Sequence, residues 1–200
     1  MTRNKRWLLA ATFCTTPLLA QAVEPAQCDV IRFADVGWTD ITVTTAVTRQ
    51  VLSDLGYRTQ VKRLSVPDTY KAMQDGKVDV FLGNWMPTME NDIKPYTANG
   101  SVKTLGANLI GAKYTLAVNQ AAYDGGVKNF ADLARFSKEL GGKVYGIEPG
   151  NDGNKLIQQM IDKNAFGLAG FSLVESSENG MLAQVKRAEH LKQWVVFLEI

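Results

Sequence analysis

The feature that most constrains the fold of this chain is a regular alternation of strand-like and helix-like segments after Cys28. Short apolar runs are typical of buried strands, and longer amphipathic stretches are typical of helices. Strands that alternate with helices favour parallel sheets covered on both faces. The sequence therefore predicts an α/β fold, with a boundary between two lobes near residues 108–113.

The individual segments follow from the positions of apolar residues and of helix-ending signals. Strands are predicted at residues 30–36, 58–66, 78–82, 113–119, 143–148, 171–175 and 194–198. Helices are predicted at residues 39–55, 67–77, 129–140, 154–166 and 178–191, with a turn at 123–128 and a loop containing one helical piece over 83–100. Pro67 suits a first helical turn, and Asn129, followed by Asp132, is a candidate helix cap. The first helix is indicated by a four-residue repeat of Val43, Val47, Val51 and Leu55.

The first 22 residues have the parts of a secretory signal peptide. A basic start without acids precedes an apolar stretch over residues 7–20, and Ala20 and Ala22 are the small residues at positions −3 and −1 of a signal-peptidase site. A membrane anchor is the alternative, but it needs roughly 20 apolar residues, and residues 15–17 interrupt this stretch. We expect export and cleavage after Ala22. Cys28 is then the only cysteine of the mature chain, either as a buried thiol or with a partner outside this chain.

Composition and motifs argue against nucleic-acid binding, a metal site and the common hydrolytic chemistries. Three basic residues before residue 7 more than account for the formal net charge of +2, so the mature chain lacks the basic surplus that binds phosphates. One histidine and one mature cysteine do not make a usual zinc site, and the common nucleophile, zincin and phosphate-loop motifs are absent. His190 lies in a charged helix and is expected to be a solvated surface residue. Spacing alone leaves open a glycosidase-like carboxylate pair, but we expect no enzyme, cofactor or metal.

Aromatic and polar residues recur directly after the predicted strands. Trp38 and Asp40 follow the first strand, Trp85 follows the third, and Asn151 follows the strand that ends at residue 148. Ligands of open α/β sheets bind beyond the carboxyl ends of the strands. These residues are therefore candidates for one site, and Tyr114, at the crossover between the lobes, is a further aromatic candidate.

An exposed tryptophan in such a loop is a good platform for a cation. The attraction of a cation to an aromatic face is worth about 0.5–1 kcal/mol at exposed sites and about 2 kcal/mol when desolvated. A quaternary ammonium ion has no N–H donor, so aromatic faces and a nearby carboxylate must hold it. Trp38, Trp85 and Tyr114 would supply the faces and Asp40 the carboxylate. The alternative is that each aromatic residue is a core or loop-anchoring side chain.

Four segments resemble the choline-binding proteins of bacterial choline ABC importers, members of the wider glycine betaine/choline substrate-binding family. They are residues 33–40, 80–89, 111–116 and 145–154, and the run Gly83-Asn84-Trp85-Met86-Pro87-Thr88-Met89 is the most specific. The similarity covers nearly everything after Cys28. It implies a two-lobed periplasmic-binding-protein fold, type II-like, whose lobes close on the ligand around a hinge.

The resemblance also implies a site and a function. An aromatic box of Trp38, Trp85 and Tyr114 is expected to surround the trimethylammonium group, with Asp40 and Asn151 near the hydroxyl and the charge of choline. The expected function is a periplasmic substrate-binding protein that captures choline for the permease of an ABC importer, as a monomer and without catalysis. The alternatives are a protein for glycine betaine or another quaternary ammonium compound, and a ligand-sensing domain of the same fold.

One departure from the family pattern concerns the C-terminus. The family's chain continues beyond the strand that matches residues 195–198 and supplies another box tryptophan, whereas this chain stops at Ile200. We therefore expect a C-terminally truncated chain with a first lobe over residues 23–112 that lacks its return segment and a second lobe over residues 113–200. Such a first lobe would have an open sheet edge and uncovered apolar surface, and a partner of Cys28 would fit the missing segment.

Overall fold

The computed structural model describes residues 29–199. The predicted signal peptide, the cleavage site at Ala22 and Cys28 lie outside these residues. Two sheets are present, one before and one after the extended stretch over residues 102–114. No helix in the described part of the chain has the length and apolar character needed to cross a membrane.

The first lobe is a parallel three-stranded sheet with helices between its strands. Its strand order is β2-β1-β3, and both β2 and β3 run parallel to β1. In chain order the elements are β1 Val30–Asp35, α1 Thr39–Asp54, β2 Arg58–Arg63, α2 Val66–Gln74, β3 Val80–Phe81 and α3 Glu90–Ala98. Helix α3 is the helical piece expected within the loop at residues 83–100.

The second lobe is a four-stranded sheet in the order β4-β7-β5-β6. Its elements are β4 Thr115–Val118, α4 Gln120–Asp124, α5 Phe130–Arg135, β5 Lys143–Tyr145, α6 Asp152–Asp162, a 3-10 segment Ala165–Gly170, β6 Ser172–Val174, α7 Glu178–His190 and β7 Val196–Glu199. The cap predicted at Asn129 is confirmed as a reciprocal capping box with Asp132. The turn predicted at residues 123–128 is preceded by the short helix α4.

The prediction of parallel sheets is wrong for β4. This strand runs antiparallel to β7, with Thr115 opposite Glu199 and Val118 opposite Val196. The expectation of parallel strands applies to strands joined by a crossover helix. Strand β4 is the first strand of the second lobe, and its neighbour β7 is the last, so no single crossover joins them. The reversal places the amino end of β4, next to Tyr114, at the same edge of the sheet as the carboxyl end of β7.

The side of helix α1 that packs on the sheet is not the side formed by the four-residue apolar repeat from which the helix was predicted. Ile41 and Thr45 are its buried residues, whereas the four-residue repeat is 54–69% exposed, at Val43, Val47, Val51 and Leu55. Further apolar side chains of the first lobe, Leu105 and Ile110, are also largely exposed. The periodicity correctly predicted a helix, but the sheet covers only the opposite side.

Candidate functional site

The candidate site lies where the two lobes meet. Trp38 follows β1 in the first lobe, Glu148 follows β5 in the second, and Tyr114 precedes β4. Because β4 is antiparallel to β7, its first residues join the carboxyl ends of the parallel strands at one edge. This is the edge at which open α/β sheets bind ligands.

Trp38 is buried rather than exposed, contrary to the expectation for a loop tryptophan. Its side chain is 1% exposed, and its Nε1 donates to both carboxylate oxygens of Glu148 at 3.0 Å. The two residues belong to different lobes, so the second lobe covers the indole ring that follows β1. Gly37 precedes it with a φ of 98°, a left-handed backbone conformation that favours glycine.

Trp85 and Tyr114 form a second aromatic contact between the two halves of the chain. Their ring centroids lie 5.2 Å apart with planes inclined by 34°, and both side chains are partly buried. The inclination makes the rings adjacent walls rather than a parallel stack. All three predicted aromatic residues also pack in the same hydrophobic cluster.

The start of helix α6 connects the two sets of aromatic residues. Asn151 is fully buried and caps α6, with its Oδ1 accepting from Asn154 N at 3.2 Å, and its Nδ2 donates to Glu148 Oε1 at 3.3 Å. The next residue, Asp152, accepts a hydrogen bond from the phenol of Tyr114 at 3.2 Å. One short stretch after β5 therefore contacts both Trp38 and Tyr114.

Gly153 is required for the close approach of Tyr114 to this helix. A Cβ atom there would lie 2.9 Å from Leu198 Cδ2 and 3.2 Å from Tyr114 Cε1. These distances are shorter than ordinary carbon–carbon contacts. A side chain at this position would push the tyrosine ring or β7 away from the helix.

Asp40 lies at the rim of the site and is not in recorded contact with the aromatic residues. It is exposed in the first turn of α1. Its pKa is raised, mainly because surrounding protein removes solvent from the carboxylate, with repulsion from Glu178 and Asp35 as lesser causes. The structure thus brings Trp38, Trp85, Tyr114 and Asn151 into one connected group and leaves Asp40 beside it.

Two further polar contacts join the lobes. The backbone N–H of Thr39, at the start of α1, donates to Glu178 Oε2 at 2.7 Å, which places a carboxylate at the positive end of the helix. Lys155 of α6 forms an ion pair with Asp92 of α3 at 2.7 Å. Together with the bond from Trp38 to Glu148, these contacts join the two lobes at the site.

The centre of the site is rich in uncompensated negative charge. Burial raises the pKa of Glu148 and that of Asp152, and each carboxylate disfavours ionisation of other acidic groups nearby. Within residues 29–199, neither Glu148 nor Asp152 nor Asp40 takes part in an ion pair. Burial also raises the pKa of the Tyr114 phenol, so this group remains a hydrogen-bond donor.

Glu148 and Asp152 are the site residues that the sequence did not single out. Both lie in the segment 145–154 that carries the resemblance, but an acid after a strand has no distinguishing signal of its own. In the described part of the chain, no cluster of three or more potential metal ligands occurs. His190 is exposed on α7, as predicted.

Three kinds of known protein resemble this chain in sequence or structure. The family model for the substrate binding domain of ABC-type glycine betaine transport systems matches residues 29–198. A protein of Chromohalobacter salexigens, described as uncharacterised, is 50% identical over 148 residues, which are 74% of this chain and 95% of that protein. The structure of an ABC-transporter choline binding protein in complex with choline is 58% identical, with a TM-score of 0.83 over 88% of this chain.

The solved choline-binding protein confirms the fold class that the resemblance implied. This chain spans only 61% of the length of that protein. An unliganded, semi-closed structure of an ABC-transporter choline binding protein, also 58% identical, has a lower TM-score of 0.77 over 86% of this chain and 60% of its own. By overall TM-score, this chain is more similar to the choline complex than to the semi-closed form.

Proposed function

Since the chain belongs to the family of substrate-binding domains of ABC-type glycine betaine transport systems, we propose that it captures choline and delivers it to the permease of an ABC importer. In this proposal the protein acts in the periplasm as a monomer. It binds its ligand without catalysing a reaction.

The observation that carries this proposal is the convergence of three aromatic side chains between the lobes. Trp85 and Tyr114 form adjacent walls 5.2 Å apart, and Trp38 is tied to the same group through Glu148 and Asn151. A trimethylammonium group offers no hydrogen-bond donor, so its recognition depends on aromatic faces within about 6 Å. Asp40 and Asn151 are proposed to lie near the hydroxyl end of the ligand.

The charges around the site favour choline over glycine betaine. Among residues 29–199, the carboxylates of Glu148, Asp152 and Asp40 have no ion-pair partner, whereas the nearby cation of Lys155 is paired with Asp92. A ligand with its own carboxylate would be repelled by this set of acids, and exclusion of water strengthens the repulsion. Choline carries the positive charge without that carboxylate.

The test is calorimetric titration of choline into the parent protein and into variants of Trp85. Trp85→Ala is expected to weaken binding by about 1–2 kcal/mol because it removes a cation–π face, and Trp85→Phe is expected to cost less. The matched control is Trp194→Phe, since Trp194 packs against Phe136 at 5.4 Å within the second lobe. Equal choline affinity in the parent and in Trp85→Ala would refute the aromatic box.

Ligand preference is tested with the same titration. The parent is expected to bind choline more tightly than glycine betaine, and Asp40→Asn is expected to narrow the difference because it removes a repulsive charge. Tighter binding of glycine betaine by the parent would contradict the proposed substrate while leaving a quaternary ammonium site in place.

A further inference from the structure

Two of the three aromatic rings at the site donate their polar hydrogen to a carboxylate of the second lobe. Trp38 Nε1 donates to both oxygens of Glu148 at 3.0 Å, and the Tyr114 hydroxyl donates to Asp152 Oδ1 at 3.2 Å. Each acid thus lies at the edge of a ring and leaves the face of that ring to other contacts. Trp38 and Tyr114, which adjoin different strands, therefore each donate a hydrogen bond to a carboxylate of the second lobe.

The carboxylate of Asp152 is not fully satisfied by the protein. Asp152 is 2% exposed, and its Oδ2 is buried without a hydrogen-bond partner among the described residues. Buried carboxylates are costly unless they are paired with a cation, and no ion pair of residues 29–199 includes Glu148 or Asp152. A cation held between the lobes would supply the missing compensation.

We propose that Glu148 and Asp152 are positioning residues that orient the rings of Trp38 and Tyr114 and place negative charge directly behind them. This inference rests on the proposed function, because it concerns how the same site selects its ligand. A carboxylate that accepts the ring N–H or O–H is a strong, charge-assisted acceptor. It polarises the donor and adds a Coulombic attraction for a permanent cation, which is large where water is excluded.

The alternative is that the two acids only hold the loop after β5 in shape. Asn151 caps α6 through its own side chain, and Asn154 donates to the backbone oxygens of Ile147 and Glu148. The shape of this loop therefore has a set of hydrogen bonds that does not need a negative charge on either acid. Neutral side chains of the same shape should preserve it.

The experiment compares choline with its uncharged carbon analogue 3,3-dimethylbutan-1-ol in the parent, in Glu148→Gln and in Asp152→Asn. Both substitutions keep an oxygen that accepts the ring hydrogen, so the ring position is retained. Choline affinity is expected to fall by about tenfold in each variant, equivalent to about 1.4 kcal/mol. The affinity of the neutral analogue is expected to change by less than about twofold, because it has no charge to attract.

Two exposed acids provide matched controls. Asp162→Asn changes a carboxylate at the far end of α6, and Glu189→Gln changes one near the end of α7. Neither side chain contacts the aromatic group, so both variants should bind the two ligands as the parent does. Tyr114→Phe gives an additional test, since it keeps the ring and removes the donor to Asp152, and choline affinity should fall more than that of the neutral analogue.

The ratio of the two affinities distinguishes the possible outcomes. A selective loss of choline binding supports the proposal. The proposal is overturned if the ratio of choline affinity to analogue affinity stays at the parent value in Glu148→Gln, Asp152→Asn and Tyr114→Phe. If both affinities fall equally, the acids have a purely structural role, and if neither affinity changes, the acids have no role in binding. If the parent binds neither choline nor the analogue, the proposed function itself fails, which is distinguishable from failure of this inference alone.

Discussion

Replacing Trp38 by phenylalanine isolates the hydrogen bond that joins the lobes at the site. Phenylalanine keeps an aromatic face but has no Nε1–H, so Glu148 loses the donor at 3.0 Å to both of its oxygens. Within residues 29–199, the amide of Asn151, at 3.3 Å, is then the one side-chain donor left to that carboxylate. A hydrogen bond to a charged group is worth roughly 1.5–3 kcal/mol.

Loss of the hydrogen bond between Trp38 and Glu148 should weaken choline binding rather than destabilise either lobe. The bond connects residues of different lobes, so its removal destabilises the closed arrangement, and a lower population of the binding-competent form weakens the apparent affinity. At 1.4 kcal/mol per tenfold, Trp38→Phe is expected to weaken choline binding by about 10-fold to 100-fold. The midpoint of thermal unfolding without ligand should change little.

The assay is calorimetric titration of choline in a double-mutant cycle of Trp38→Phe and Glu148→Gln. If the two side chains interact as the structure describes, the double variant should lose less affinity than the sum of the single losses. Additivity within about 0.3–0.5 kcal/mol, or parent-like affinity in Trp38→Phe, would refute the reasoning.

Three other properties of the site give testable expectations. Burial raises the pKa of Glu148 and that of Asp152, so choline affinity should fall as the pH is lowered through the raised pKa values, whereas the contribution of these acids to folding stability should rise over the same interval. Titrations from about pH 7.5 to about pH 5 and unfolding at the same values check both signs. Lys155→Met breaks the ion pair with Asp92 and should weaken choline binding by about 0.5–1 kcal/mol at low salt and less at high salt, measured by titration at two ionic strengths. Gly153→Ala would crowd the Tyr114 ring and should cost about 1–3 kcal/mol in stability, measured by urea unfolding; a parent-like midpoint would show that the ring can shift freely.

The sequence predicted the elements of the fold well where the pattern is local. Helix α1 begins at the predicted residue 39 and ends one residue before the predicted end, and the helix cap predicted at Asn129 is formed. The side of α1 that is covered and the direction of β4 depend on contacts with distant parts of the chain. Neither the spacing of Val47 and its neighbours nor the alternation of elements contains that information.

The site also shows the difference between features set by local sequence and features set by contacts with distant parts of the chain. The positions of Trp38, Trp85 and Asn151 after strands indicated one edge of the sheets, and the structure joins these residues there. The burial of Trp38 was not predictable, because it depends on Glu148, which lies 110 residues away in the sequence. A glutamate after a strand acquires its significance only from the indole that it contacts.

A crystal structure of the protein grown with choline would show directly whether the aromatic side chains between the lobes hold the ligand. We expect a trimethylammonium group against the faces of Trp85 and Tyr114, with its nitrogen within about 6 Å of both ring centroids and with Trp38 still donating to Glu148. Choline bound elsewhere on the protein, or an unoccupied space beside Trp85 and Tyr114 in crystals grown at saturating choline, would contradict it.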